Sequence, residues 1–168
     1  MLYFNNYKLI IETENFLVFV PDMPHIDRKD GGHVCIGAKN NDIYTLQDFS
    51  DMTLFELVML EKIVGYAMMK ILNKHGIDIE LLNYQINGNW TFDSLDRPSF
   101  HVHIYGRARS AVIQPFGQCL NLPTKSEHPE FYVNNQPLND DDIISMRNCI
   151  RQKYFDARIK RFFELKLF

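Results

Sequence analysis

One uninterrupted helical stretch among several short strand-like runs limits what this chain can fold into. Leu57, Leu60, Val64, Ala67 and Ile71 recur at the three- and four-residue spacing that places side chains on one helix face. Thr53-Leu-Phe-Glu56 ahead of them has the pattern of a capping box, in which Thr53 accepts from a backbone N–H and Glu56 reaches back. Lys74 and His75 suit the negative pole of the helix dipole, and Gly76 suits a left-handed cap. The spacing predicts a helix over about 53–75.

On either side the periodicity changes. FLVFV (16–20) is a short apolar run closed by Pro21 and Asp22 and reads as a buried strand. HVCIGAK (33–39) alternates His33, Cys35 and Gly37 with Val34, Ile36 and Ala38, as a strand does. DIELLNYQIN (78–87) and SFHVHIYGR (99–107) read as two further strands, while PDMPHIDRKDGG (21–32) and GNWTFDSLDRPS (88–99) read as loops. Between Ser110 and Leu138, four prolines at 115, 123, 129 and 137 exclude a long element. Asn139 or Asp140 can cap a last helix over about 141–160, with Ile143, Ile144, Met146, Cys149, Ile150 and Tyr154 on one side. Its basic residues, Arg147, Arg151, Lys153, Arg158, Lys160 and Arg161, read first as a solvated face and second as a nucleic-acid or partner contact. The expectation is an α+β domain over 1–110 and a C-terminal helical extension over 111–168.

Composition removes several function classes. At 168 residues and 46% hydrophobic, the chain can bury a full core, yet no apolar run approaches the ~20 residues of a membrane span. A formal net charge of −3 argues against general attraction to nucleic acid. Cys35, Cys119 and Cys149 are far apart and odd in number, which disfavours a disulfide framework or a CxxC metal site. With no basic-then-apolar start resembling a signal peptide, a reducing cytoplasm is the expected location.

The chemistry concentrates in SFHVHIYGR. Residues two apart on a strand share a face, so Ser99, His101, His103 and Tyr105 line one side and Phe100, Val102 and Ile104 the other. Two imidazoles about 7 Å apart along a strand suit three roles: metal chelation, a nucleophile with its helper, or satisfied core histidines. A zinc site wants three or four protein ligands, for which His25, His33 and His128 are the available contributors.

The order of these elements narrows the choice. His33-Val-Cys-Ile-Gly-Ala-Lys39, the capped helix, a strand ending in Asn87-Gly-Asn89, and Ser99-Phe-His-Val-His-Ile-Tyr-Gly-Arg107 together resemble the histidine-triad family of nucleotide hydrolases and transferases. That family's signature is His-φ-His-φ-His-φ-φ, φ being apolar, and the resemblance covers roughly residues 15–110. In the register that satisfies all positions but one, Ser99 replaces the first histidine, and His101 and His103 are the second and third.

The resemblance implies an antiparallel sheet with one long helix, a homodimer, and a nucleotide substrate such as a dinucleoside polyphosphate or nucleoside phosphoramidate. It makes His101 the nucleophile at the α-phosphorus and places His103 around the phosphate and leaving group. His33 becomes the histidine that orients the triad, Asn87 a phosphate or sugar contact, and Asp22 an acidic ribose contact. The covalent step requires no metal, although Mg²⁺ can accompany a polyphosphate.

Two departures stand against it. Ser99 cannot carry a proton at pH 7, and the loop that would cradle phosphate reads SLDRP (94–98), where Arg97 would supply the positive charge beside Asp96. Arg107 and Arg109 are further candidates, with Arg107 alternatively facing solvent. Trp90 reads equally as a core aromatic or a base-stacking surface. These departures leave two alternatives to the enzyme: a catalytically weak nucleotide-binding module, and a zinc site built on His101 and His103.

Overall fold

A computed structural model describes residues 6–87 and 99–164, with side chains through Asp156. Five strands form one antiparallel sheet in the order β1-β2-β3-β5-β4: β1 Tyr7–Glu12, β2 Phe16–Pro21, β3 His33–Ala38, β4 Ile79–Gln85 and β5 His101–Ala108. Two long helices, α1 Asp51–Lys74 and α2 Asp140–Glu164, complete an α+β fold. Among the described residues no helix is long and apolar enough to cross a membrane.

The continuous apolar run of β2 has a simple cause: both of its faces are covered. Phe16, Val18 and Val20 join the main core, whereas Leu17 and Phe19 join Cys35 in a second cluster on the opposite face. In the main core, α1 lays Leu57, Leu60, Val64, Ala67, Met68, Ile71 and Leu72 across the sheet, onto Val34, Ile36, Val102 and Ile104 among others. Gly65 allows α1 its closest approach to β4, since a Cβ there would stand 2.0 Å from the Tyr84 hydroxyl.

The start of α1 corrects the sequence reading. Ser50 is the N-cap and accepts from the Thr53 backbone N–H, while Glu56 accepts from Asn15 Nδ2 and the Tyr154 hydroxyl. Thr53 and Glu56 therefore form no capping box, because Glu56 serves tertiary contacts instead. Strand β1 lies in a stretch to which the sequence reading gave no element. Its pairing with β2 is broken by an irregularity between Leu9 and Ile11, and Arg147 of α2 donates to the carbonyls of Leu9 and Ile10 there. At least one of the basic residues of α2 thus caps a sheet edge.

Helix α2 begins where the asparagine reading put it, with Asn139 Oδ1 accepting from the Asp142 N–H. It buries Ile143, Met146 and Ile150 in the core shared with α1. Asp142 is fully buried and held by Arg28, at 2.5 and 3.0 Å, and by His75 Nδ1 at 2.7 Å.

The opposite face of β3 and β5 is covered by chain without regular structure. Asp30 accepts from the backbone N–H groups of Val112, Ile113 and Gln114. Arg107, 6% exposed, donates to Asn83 and to the carbonyls of Pro115 and Gln118. Arg107 therefore does not face solvent, and its guanidinium is held inside the fold by neutral acceptors. Asn135 Nδ2 closes the cover by donating to the carbonyls of Pro24 and His25.

Candidate active site

The face under this cover carries the histidines. Cross-strand pairing sets His33 opposite Tyr105, Cys35 opposite His103, and Gly37 opposite His101, so the alternation read from sequence brings His33, His101 and His103 to one side. The 21–32 loop adds His25. That loop can reach β5 because two backbones cross at Gly31 and Gly106: a Cβ on Gly106 would stand 2.1 Å from the Gly31 carbonyl oxygen, and Gly31 itself has φ +130°. The glycine after the histidine strand is a steric requirement of this crossing.

Hydrogen-bond logic then assigns every tautomer. His33 Nδ1 accepts the His25 backbone N–H at 3.1 Å, so its proton sits on Nε2. His33 Nε2 donates to His103 Nδ1 at 2.9 Å, which leaves the His103 proton on Nε2. In parallel, Asn87 Nδ2 donates to the Tyr105 hydroxyl at 3.3 Å, and Tyr105 donates to His25 Nδ1 at 2.7 Å. His101 runs the other way. Its Nδ1 lies 2.8 Å from the Ser99 carbonyl, which can only accept; Nδ1 carries the proton and Nε2 keeps the lone pair.

Burial keeps these rings uncharged. It pulls His103 down to about 2 and His25 to about 3, with neighbouring histidines and Lys125 adding to the effect. His33, fully enclosed, lies well below the usual histidine range for the same reasons. His101 is lowered too, by burial, against a small opposing effect of its bond to the Ser99 carbonyl. The edge of the His101 ring meets His103 at 4.5 Å between centroids, and His103 stacks on Tyr105 at 5.6 Å. The result is a neutral imidazole with its lone pair on Nε2 beside a neutral imidazole with its N–H on Nε2.

Three histidines, His25, His33 and His103, bring ligand-capable nitrogens within 4.8 Å of one another. A metal fits them poorly, because the facing nitrogens of His33 and His103 already share a proton between them. His101 is not in this group. Cys35 Sγ lies 3.2 Å from His33 Nε2 and 3.5 Å from His103 Nδ1, but burial pushes its thiol well above the usual range, so no thiolate is on offer.

The other sequence candidates are placed as follows. Ser99 contributes its carbonyl, and Asn87 its amide, to Tyr105 and, at 3.5 Å, to Gln85. Asp22 is exposed, with its N–H on the Asn6 carbonyl, and among the described residues no side-chain hydrogen bond ties it to the histidines. Arg109 pairs with Glu80 at 2.6 Å. His128 is exposed beside Glu130. Arg97, Asp96 and Trp90 lie outside the described residues. His25, weighed from sequence only as a metal ligand, is instead the residue that fixes His33; Pro24 and the Gly31-Gly32 pair around it were the available signal.

Searches for a matching protein-family model and for a curated relative find none. Solved structures do match. A histidine triad protein from Bradyrhizobium japonicum superposes with a TM-score of 0.58 over 88% of this chain and 90% of its own, at 14% identity. The chain has the histidine-triad fold. A zinc-bound histidine triad family protein from Mycobacterium smegmatis matches over 91% of this chain and 88% of its own, with a TM-score of 0.56 and 19% identity. A uridylyltransferase matches over 86% of this chain but 41% of its own, with a TM-score of 0.51 and 16% identity. At these identities the likeness is one of fold.

Proposed function

We propose that this protein is a nucleotide phosphohydrolase or nucleotidyl transferase that works through a nucleotidyl-histidine at His101. One observation carries the reading: the Ser99 carbonyl holds the His101 proton on Nδ1, which leaves the lone pair on Nε2. Nε2 attacks the α-phosphorus, an N–P bond forms, and the bond from phosphorus to the leaving group breaks with its electron pair. Water, or the hydroxyl of an acceptor, then attacks the same phosphorus, the N–P bond breaks with its electron pair returning to Nε2, and the proton of the attacking O–H passes to solvent. His103 Nε2–H donates to a phosphate oxygen, and the chain from His25 through His33 keeps that proton where it is needed.

The substrates that suit this step are dinucleoside polyphosphates and nucleoside phosphoramidates. No metal takes part in the covalent step of this reading, with Mg²⁺ accompanying a polyphosphate chain. Strand β4 ends the sheet, and Leu81 and Tyr84 on it and Ile86 just after it are exposed, which supports pairing with a second copy as a homodimer. The location that goes with this reading is the cytoplasm.

The test is intact-mass analysis after rapid quenching at neutral pH, over a panel of both substrate classes. A nucleotidyl adduct on His101 that turns over is expected. His101→Ala should lose the adduct and at least about a thousandfold of the rate, while Ser99→Ala keeps its carbonyl and stays within about threefold. Full activity of His101→Ala would sink the mechanism. The second reading, a nucleotide-binding module, is favoured by the serine at the first triad position; stable nucleotide binding with neither adduct nor product would select it.

A further inference from the structure

The cover over the histidine face contains a cation. Lys125 is half-buried, donates to the Met23 carbonyl at 3.3 Å and lies 5.4 Å above the Tyr132 ring. Tyr132 packs on His25 at 5.6 Å between centroids, and His25 stacks on His33 at 4.7 Å and meets His103 at 5.1 Å. The charge of Lys125 acts on all three of these histidines.

Phosphate brings negative charge that this face must balance. The histidines are neutral and supply dipoles alone. Arg107 is committed to Asn83 and two carbonyls, and Arg109 to Glu80. No ion pair joins Lys125 to a carboxylate among the described residues. A half-buried ammonium without a carboxylate, beside neutral imidazoles, is a ready partner for an anion.

We propose that Lys125 receives the phosphate chain of the leaving group, so that the 110–138 segment makes this site selective for dinucleoside polyphosphates over nucleoside phosphoramidates. The inference rests on the reading of His101 as nucleophile. It also answers the serine at position 99: a phosphate leaving group departs as a stable anion and needs charge compensation, whereas an amine must be given a proton. Lys125 supplies the first and Ser99 cannot supply the second.

The experiment compares the wild type with Lys125→Gln, which can still donate to the Met23 carbonyl, and Lys125→Arg, which keeps the charge. Calorimetry with inorganic triphosphate and with adenosine monophosphate reads binding; kcat and KM are then measured for a diadenosine polyphosphate and an adenosine phosphoramidate. Lys125→Gln should weaken triphosphate about tenfold or more and raise the polyphosphate KM similarly. The monophosphate and the phosphoramidate should change by less than about threefold. Lys125→Arg should stay near the wild type. Equal losses for every ligand, no loss, or a wild type that does not bind triphosphate would each overturn the proposal. The adduct on His101 is scored separately, so Lys125 can fail while the nucleophile stands.

Discussion

The two faces of the sheet around β5 are held by different physics. On one, Phe100, Val102 and Ile104 meet α1 through buried apolar area alone. On the other, His101, His103, Tyr105 and Arg107 are fixed by directed hydrogen bonds to the Ser99 carbonyl, to His33, to Asn87 and His25, and to the carbonyls of the cover. Area is forgiving, because many apolar side chains of similar volume fill it. A relay is not: each hydrogen bond from the His25 backbone N–H through His33 to His103 has one donor and one acceptor, and changing one reassigns the others. The same eight-residue strand thus secures stability through its even positions and proton placement through its odd ones.

That contrast is broken most severely by one substitution on each face. His33→Leu should cut adduct formation about a hundredfold by freeing the His103 ring to change tautomer and position, while costing about 1–3 kcal/mol for the unpaired His25 N–H. Leu60→Ala should cost about 2–5 kcal/mol in urea denaturation and leave the rate of the remaining folded protein within about threefold. If both variants lost activity in proportion to stability, the division between the faces would be wrong.

Acid sharpens the comparison, because burial makes the folded histidine face refuse protons that the unfolded chain accepts. His25 and His103 are held at about 3 and about 2, and His33 well below the ordinary value, so the unfolded chain takes up protons below about pH 6.5 that the folded chain refuses. Stability should hold from pH 8 to about 6.5 and then fall as pH drops toward the folded values. The slope is at most about 1.4 kcal/mol per pH unit for each histidine. A denaturation midpoint unchanged between pH 6.5 and 5 would contradict buried neutral rings; carboxylates add their own losses only lower down.

Local pattern carried much of this into the sequence. The spacing of Leu57, Leu60, Val64, Ala67 and Ile71 located α1, and the alternation in HVHIY placed His101 and His103 on one face. The cap was misread because Thr53 and Glu56 fit a local motif, whereas Glu56 is claimed by Asn15 and Tyr154 from elsewhere in the fold. Strand β1 escaped because its YKLIIE segment lacks clean alternation, in keeping with its broken register against β2. His25, Tyr105 and Lys125 meet only through the crossing of Gly31 and Gly106 and the anchoring of the 110–138 segment on Asp30. Those contacts join positions some 80 residues apart, and no local period announces them.

The central claim is a tautomer assignment, and nitrogen-15 NMR of the imidazole rings at pH 7 reads it directly. The account predicts His101 neutral with its proton on Nδ1, and His25, His33 and His103 neutral with theirs on Nε2. A proton on His101 Nε2, or a charged His101 ring, would leave no lone pair to attack phosphorus and would contradict it.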